Sequence, residues 1–300
     1  MKIRKGIISV LALAAVVACN PLKQLQSHQT SLEEAYDAGN HRDVLVAFDE
    51  LESYHSQEGG EIETDYIEMA AKSAYELENY QRAEDLIREW IDETGNFEAI
   101  ELLGSLYRET GDSDREYEHW EQYWNEIESE DMKEEIGSRL FSLEIEKENY
   151  EKALDRFNKM PPASEPDILF MRVEALEETG KEDEAKKACD QLLEEHPDYE
   201  PAIAWQATNI YERAEKLYEE EMRKYEEKDE SEEYTAYAYL RRELKKVSKM
   251  YRDSRDMFEK LHENNPDKTE YIKYLKNIYL RLEMREEATK MDMLLKDKQK

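Results

Sequence analysis

The sequence predicts an all-α helical solenoid of about six to seven helix pairs, one of them drawn out into an elongated antiparallel hairpin. Three observations carry that expectation. Apolar residues recur at helical spacings of three and four along most of the chain, and no stretch shows the period-two alternation of a strand. Small residues stand at matching places in successive units, at Ala83, Ala153 and Ala185, with Glu116 in the series. The intervals are 33, 37 and 32 residues, then 69 to Ser254, which places an insertion of about 35 residues in one unit.

The first element is a leader. Lys2, Arg4 and Lys5 precede an apolar run from Ile7 to Ala18 that ends in Val16, Val17, Ala18 and Cys19. A bilayer span needs about 20 apolar residues. This run is shorter, and its charged start marks an export signal over residues 1–18. The segment resembles a bacterial lipoprotein signal, whose lipobox implies cleavage before Cys19 and lipidation of that thiol. Acyl chains, at about 0.8 kcal/mol per buried methylene, would then hold the protein on a membrane. The resemblance associates an Asp after the Cys with inner-membrane retention, and Asn20 stands there instead. An outer-membrane anchor facing the periplasm is expected, with surface display left open. Residues 19–30 are expected to be the lipidated Cys and a short tether.

Helix pairs follow over residues 31–198. Ala35 and Gly39 go with Val44, Phe48 and Leu51; Ile67, Ala71 and Ala74 go with Tyr80, Ala83, Ile87 and Trp90, closed by Gly95. Ile100, Leu103, Gly104 and Tyr107 precede Gly111, Trp120 and Tyr123. Leu140, Phe141, Tyr150, Ala153 and Phe157 run to the break at Pro161 and Pro162. The clearest copy, Leu169 to Pro197, has Val173 and Leu176, a break at Gly180, then Ala185, Cys189 and Leu192. These residues resemble the tetratricopeptide repeat (TPR), which implies a right-handed solenoid of two-helix units that binds proteins or peptides.

Residues 199–266 are expected to form the hairpin. Ile203, Ala207, Ile210, Ala214 and Leu217, flanked by Tyr211, Tyr218 and Tyr225, give one arm. After a charged interruption at 226–233, Tyr237, Leu240, Leu244, Val247, Tyr251, Ser254, Phe258 and Leu261 give the other, with facing seams. Residues 267–300 close the chain as a final repeat and a capping helix with a polar outer face. The segment Leu275–Glu283, LKNIYLRLE, with the preceding insertion, resembles TPR lipoproteins and secreted TPR proteins of Gram-negative bacteria.

A net charge of −32 argues against nucleic acid, whose phosphates such a chain would repel. It also leaves membrane affinity to the anchor. Only Cys19 and Cys189 are present, and Cys189 is expected to pack as an apolar side chain. Glu116 with His119, and Glu259 with His262, have the i, i+3 spacing of carboxylate-bundle metal ligands, but they fall in distant repeats. No metal or cofactor is therefore expected. The Glu219, Glu220, Glu221 cluster reads as solvated, and Lys273 with Asn277 lacks the further sets that a carboxylate clamp requires. No metalloprotease, phosphate-loop, nucleophile-elbow or dinucleotide motif is found, so an enzyme is not expected.

Tyr is abundant, with 20 residues. Tyr225, Tyr234 and Tyr239 are the candidate partner-binding rings, while Tyr237 is assigned to the seam. The expected function is a noncatalytic, lipid-anchored scaffold or adaptor that binds envelope proteins or peptide segments, with self-association through the hairpin left open. The alternative is an outer-membrane assembly factor resembling the TPR lipoprotein of the β-barrel insertion machinery. A third class, a nutrient or glycan receptor, would need an aromatic platform.

Overall fold

A computed structural model describes residues 21–228 and 233–298. Residues 1–18, expected as a leader, and Cys19 lie outside the described residues. Among those residues there are fourteen α-helices, one short 3-10 turn and no strand. The chain divides into two compact units, Met1–Glu126 and Ile127–Lys300.

The first unit holds α1 (Pro21–Asp37), α2 (His41–Glu58), α3 (Thr64–Glu76), α4 (Tyr80–Thr94), α5 (Phe97–Glu109) and α6 (Ser113–Tyr123), with the 3-10 turn at Trp124–Glu126. The second holds α7 (Glu130–Glu146), α8 (Tyr150–Phe157), α9 (Pro166–Glu178), α10 (Glu182–Glu195), α11 (Glu200–Glu226), α12 (Glu233–Asn264), α13 (Thr269–Arg281) and α14 (Arg285–Asp297).

One expectation needs correction at the start. Residues 21–30, expected as a tether, form the first turns of α1. Pro21 has the fixed φ that suits a first helical position. Leu25 and Leu32, seven residues apart, both reach the core. His28 Nδ1 lies 2.9 Å from Glu50, and the Tyr54 hydroxyl donates to the Pro21 carbonyl at 3.0 Å.

Six helix pairs whose turns lie among the described residues turn by one backbone device. Gly39, Glu78, Gly111, Glu148, Gly180 and Glu283 all have left-handed φ, between +56° and +72°. At each, two amides bond back to the first helix: Gly180 N–H to Glu177 O at 2.8 Å and Lys181 N–H to Leu176 O at 2.8 Å, for example. This is the Schellman closure, which satisfies carbonyls that the helix end would otherwise orphan. Glycine enters the left-handed region at no steric cost, whereas the three glutamates carry strain there. Five residues beyond each left-handed position a side chain is buried: Val44, Ala83, Glu116, Ala153, Ala185 and Ala288. The turn and the first buried contact of the next helix therefore come as one rigid piece.

The first unit packs Phe48, Ile67, Leu86, Ile87, Trp90, Leu103 and Tyr107 into one core. In the second, one cluster spans Leu154 to Ala202 and another gathers Ala207 to Ala288 from α11 to α14. Cys189 is fully buried, its Sγ–H 3.5 Å from the Ala202 carbonyl, and burial pushes its thiol pKa up to about 12. That is the inert apolar packing expected for it. The closing helices depart from a purely polar outer face, because Leu280, Met293 and Leu294 are exposed.

Glu116 replaces a small residue without breaking the pattern because its buried carboxylate accepts from Arg108 Nε at 3.1 Å. His119, one turn on, is also buried: Nε2–H donates to Ile100 O at 2.7 Å, and the ring meets Tyr107, Trp120 and Tyr123. Burial holds its pKa below the ordinary 6.5, outweighing the bond to Ile100. The unfolded chain therefore takes this proton first as the pH falls. The stabilisation is complete above pH 6.5 and declines below it. Urea midpoints measured at about pH 7.5 and about pH 5.5 should fall for the native chain and fall less for His119→Gln. An equal fall in both would assign the effect elsewhere.

Candidate partner-binding surface

The hairpin is where the second unit departs from the repeat. α11 has 27 residues and α12 has 32, against 13 in each of α13 and α14. At 1.5 Å per residue the arms are longer by about 20 to 28 Å. Their seam is built on sevens: Ala207 and Ala214 in α11, and Leu240, Val247, Ser254 and Leu261 in α12, are all buried. The small side chains allow a close approach, so that Ser254 Oγ–H donates to the Ala207 carbonyl across the arms at 2.8 Å.

The base of the hairpin is fixed to the closing helices. Phe258 stacks on Tyr274 with ring centroids 4.6 Å apart and an interplanar angle of 9°. Glu215 accepts from the Tyr251 hydroxyl at 2.7 Å and from Arg281 Nε at 2.8 Å, and a second Arg281 nitrogen reaches its other oxygen. Burial acts to raise the Glu215 carboxyl, but the bonds from Arg281 and Tyr251 outweigh it and hold the group below its ordinary value. Burial and the bond to Glu215 push the Tyr251 hydroxyl up.

Toward the tip the seam turns polar. Glu221, seven residues after Ala214, is buried rather than solvated. One oxygen accepts from Lys224 Nζ at 2.8 Å, and the other has no partner among the described residues. Glu243 is buried too, accepting from Lys246 at 2.6 Å and Arg242 at 3.1 Å. The arms part there into an open cleft of about 800 Å³ lined by Glu221, Lys224, Tyr225, Thr235, Tyr239 and Leu240. The heptad spacing from Ala207 through Ala214 was the sequence signal that Glu221 would face inward.

The candidate rings divide. Tyr234 is 88% exposed, and Tyr239 is 46% exposed with the Arg242 guanidinium 4.9 Å from its ring centre. Tyr225 is half-buried, with its ring edge-on to Tyr237 at 6.5 Å. Tyr237, expected to fill the seam, keeps that contact with Tyr225 across the arms but is 55% exposed, lying beyond Leu240 toward the tip. Lys273 and Asn277 are both exposed. Glu259 accepts from the Tyr279 hydroxyl at 2.7 Å. No group of three or more His, Cys, Asp or Glu among the described residues is placed to hold a metal ion. No helix among them is long and apolar enough to cross a membrane.

Residues 167–199, spanning α9 and α10, match the tetratricopeptide repeat family model. The sequence matches no curated protein. Among solved structures, a Bacteroides ovatus protein crystallised as a candidate protein-binding protein aligns over 74% of this chain and 99% of its own, at 18% identity and a TM-score of 0.51. At that identity the likeness is one of fold alone. The C-terminal part of a TPR protein from Cytophaga hutchinsonii aligns over 87% of this chain and 97% of its own (14% identity, TM-score 0.45), and a TPR protein from Parabacteroides merdae over 85% and 99% (15%, 0.41). Those two alignments add nothing to the fold. The chain is an all-α, TPR-like helical-repeat protein with one elongated antiparallel hairpin.

Proposed function

We propose that this protein is a noncatalytic scaffold of the bacterial envelope, anchored by lipid on Cys19 to the outer membrane and facing the periplasm, that holds another envelope protein through its hairpin. The observation that carries this reading is the hairpin tip. It lies beyond the length of the other helices and presents Tyr234, Tyr237 and Tyr239 to solvent. Tyr combines a large apolar ring with a polar end, which suits an interface anchor. The leader and Cys19 supply the address, and the repeat architecture supplies the scaffold.

In-cell photocrosslinking from positions 234 and 239 of the lipidated protein should give one dominant envelope adduct. Replacing residues 220–241 by a short turn removes those positions and should abolish co-purification of the partner so identified with the tagged, lipidated chain. The truncation spares the core shared with α13 and α14, so helicity should fall only by the residues removed. A Cys19→Ser chain should lose acyl labelling and membrane retention. Partner co-purification unchanged by the truncation would remove the hairpin from the reading.

A further inference from the structure

We infer that the outer face of α12 is a docking surface for an acidic helical segment of a partner protein. The inference deepens the scaffold reading, on which it rests, by giving the partner's chemistry. Arg241, Lys245, Lys249 and Arg252 stand at i, i+4, i+8 and i+11, which places them on one helix face. All four are exposed, and none makes a hydrogen bond or ion pair among the described residues. The neighbouring cations are engaged: Arg242 and Lys246 bond to Glu243, and Arg255 to Asp256.

Over residues 241–252 there are six basic side chains and one acidic, Glu243, which is buried. That balance is the reverse of a chain whose net charge is −32. Like charges at i and i+4 destabilise a helix, so the Arg241, Lys245, Lys249 series carries a cost that an anionic partner would relieve. Seven residues before Arg241, Tyr234 continues the face with the most exposed ring of the hairpin.

The shape of the stripe selects the partner. From Arg241 to Arg252 it is about 16 Å long and one helix wide. A helix with acids at spacings of three and four would match it cation for anion. A flat anionic bilayer continues past Arg252 and would also meet the exposed Asp256 one turn on, where a segment matched to the stripe can end. Screening beyond about 8 Å at physiological salt confines the attraction to such close contact.

The test uses the mature full chain and a labelled synthetic helical peptide with Glu at i, i+4, i+8 and i+11 and a Tyr at one end, alongside its Gln counterpart. The Glu peptide should bind in a salt-dependent way and the Gln peptide should not. The reversed chain Arg241→Glu, Lys245→Glu, Lys249→Glu, Arg252→Glu should bind the Glu peptide about ten-fold more weakly, or not at all, with unchanged helicity. The neutral chain with Gln at the same four positions, free of internal repulsion, should show the same loss even where the reversed chain folds poorly. Absent binding, or equal binding of both peptides or by native and neutral chains, overturns the inference. So does an effect confined to phosphatidylglycerol vesicles, which would assign the stripe to lipid, or to sedimentation mass, which would assign it to a second copy. Crosslinks from position 234 that survive the four substitutions would defeat the stripe while leaving the scaffold reading standing.

Discussion

Replacing Glu144 by Leu should cost the second unit about 3 to 5 kcal/mol, the largest loss expected from any single polar substitution in this chain. Glu144 is fully buried on α7, and Arg156 on α8 is 7% exposed. Arg156 Nε lies 3.0 Å from each carboxylate oxygen, and a terminal nitrogen lies 2.8 Å from Oε1. The substitution strips a buried guanidinium of its bidentate partner. Most of the expected loss is that desolvated charge rather than the worth of the pair. The double change Glu144→Leu with Arg156→Met should accordingly recover most of the stability. Urea unfolding of the three variants checks this. A single substitution costing under about 1 kcal/mol would show that Arg156 reaches water by itself, and the argument would fail.

Trp120→Ala should cost the first unit about 3 kcal/mol, at the lower end for a buried Trp, because the indole Nε1–H is buried with no partner among the described residues and its removal relieves that penalty. The ring lies where α5 offers no side chain. A Cβ on Gly104 would stand 2.1 Å from Trp120 Cζ2, far inside contact distance. Gly104→Ala alone should therefore destabilise by about 1 to 3 kcal/mol through overpacking. In the Trp120→Ala background the sign should reverse, since the space is vacated and Ala is favoured over Gly in a helix by about 1 kcal/mol. Additive effects in the double-mutant cycle would falsify this account of the pair.

The helix pairs were legible in sequence because their buried residues repeat at three and four, and the hairpin because its seam repeats at seven. What blurred the repeat is visible at particular positions. Gly180 with Ala185 is the one pair that combines a left-handed glycine with a small buried residue five places on. Gly39 is followed by Val44 and Gly111 by Glu116, while Glu78, Glu148 and Glu283 stand before Ala83, Ala153 and Ala288. The family model matches the single segment where both coincide. The helical start at Pro21 was missed because Leu25 and Leu32 sit among polar residues that read as a linker. Glu221 was misread because a carboxylate in a run of three suggests water, although its heptad position faces the other arm. Composition also hid the stripe on α12, because a whole-chain charge of −32 conceals twelve residues of the opposite sign.

The six shared turns show what this chain holds constant. A left-handed residue that is Gly three times and Glu three times is not a fixed identity, and the glutamates accept about 1–2 kcal/mol of strain each. What repeats is an interval: two backbone bonds, then five residues to a buried side chain. Nothing in that interval depends on how far either helix continues afterwards. Length is thus a free variable of the architecture, and α11 and α12 have used it, growing well beyond their neighbours while Glu283 and Ala288 resume the same count in the next pair.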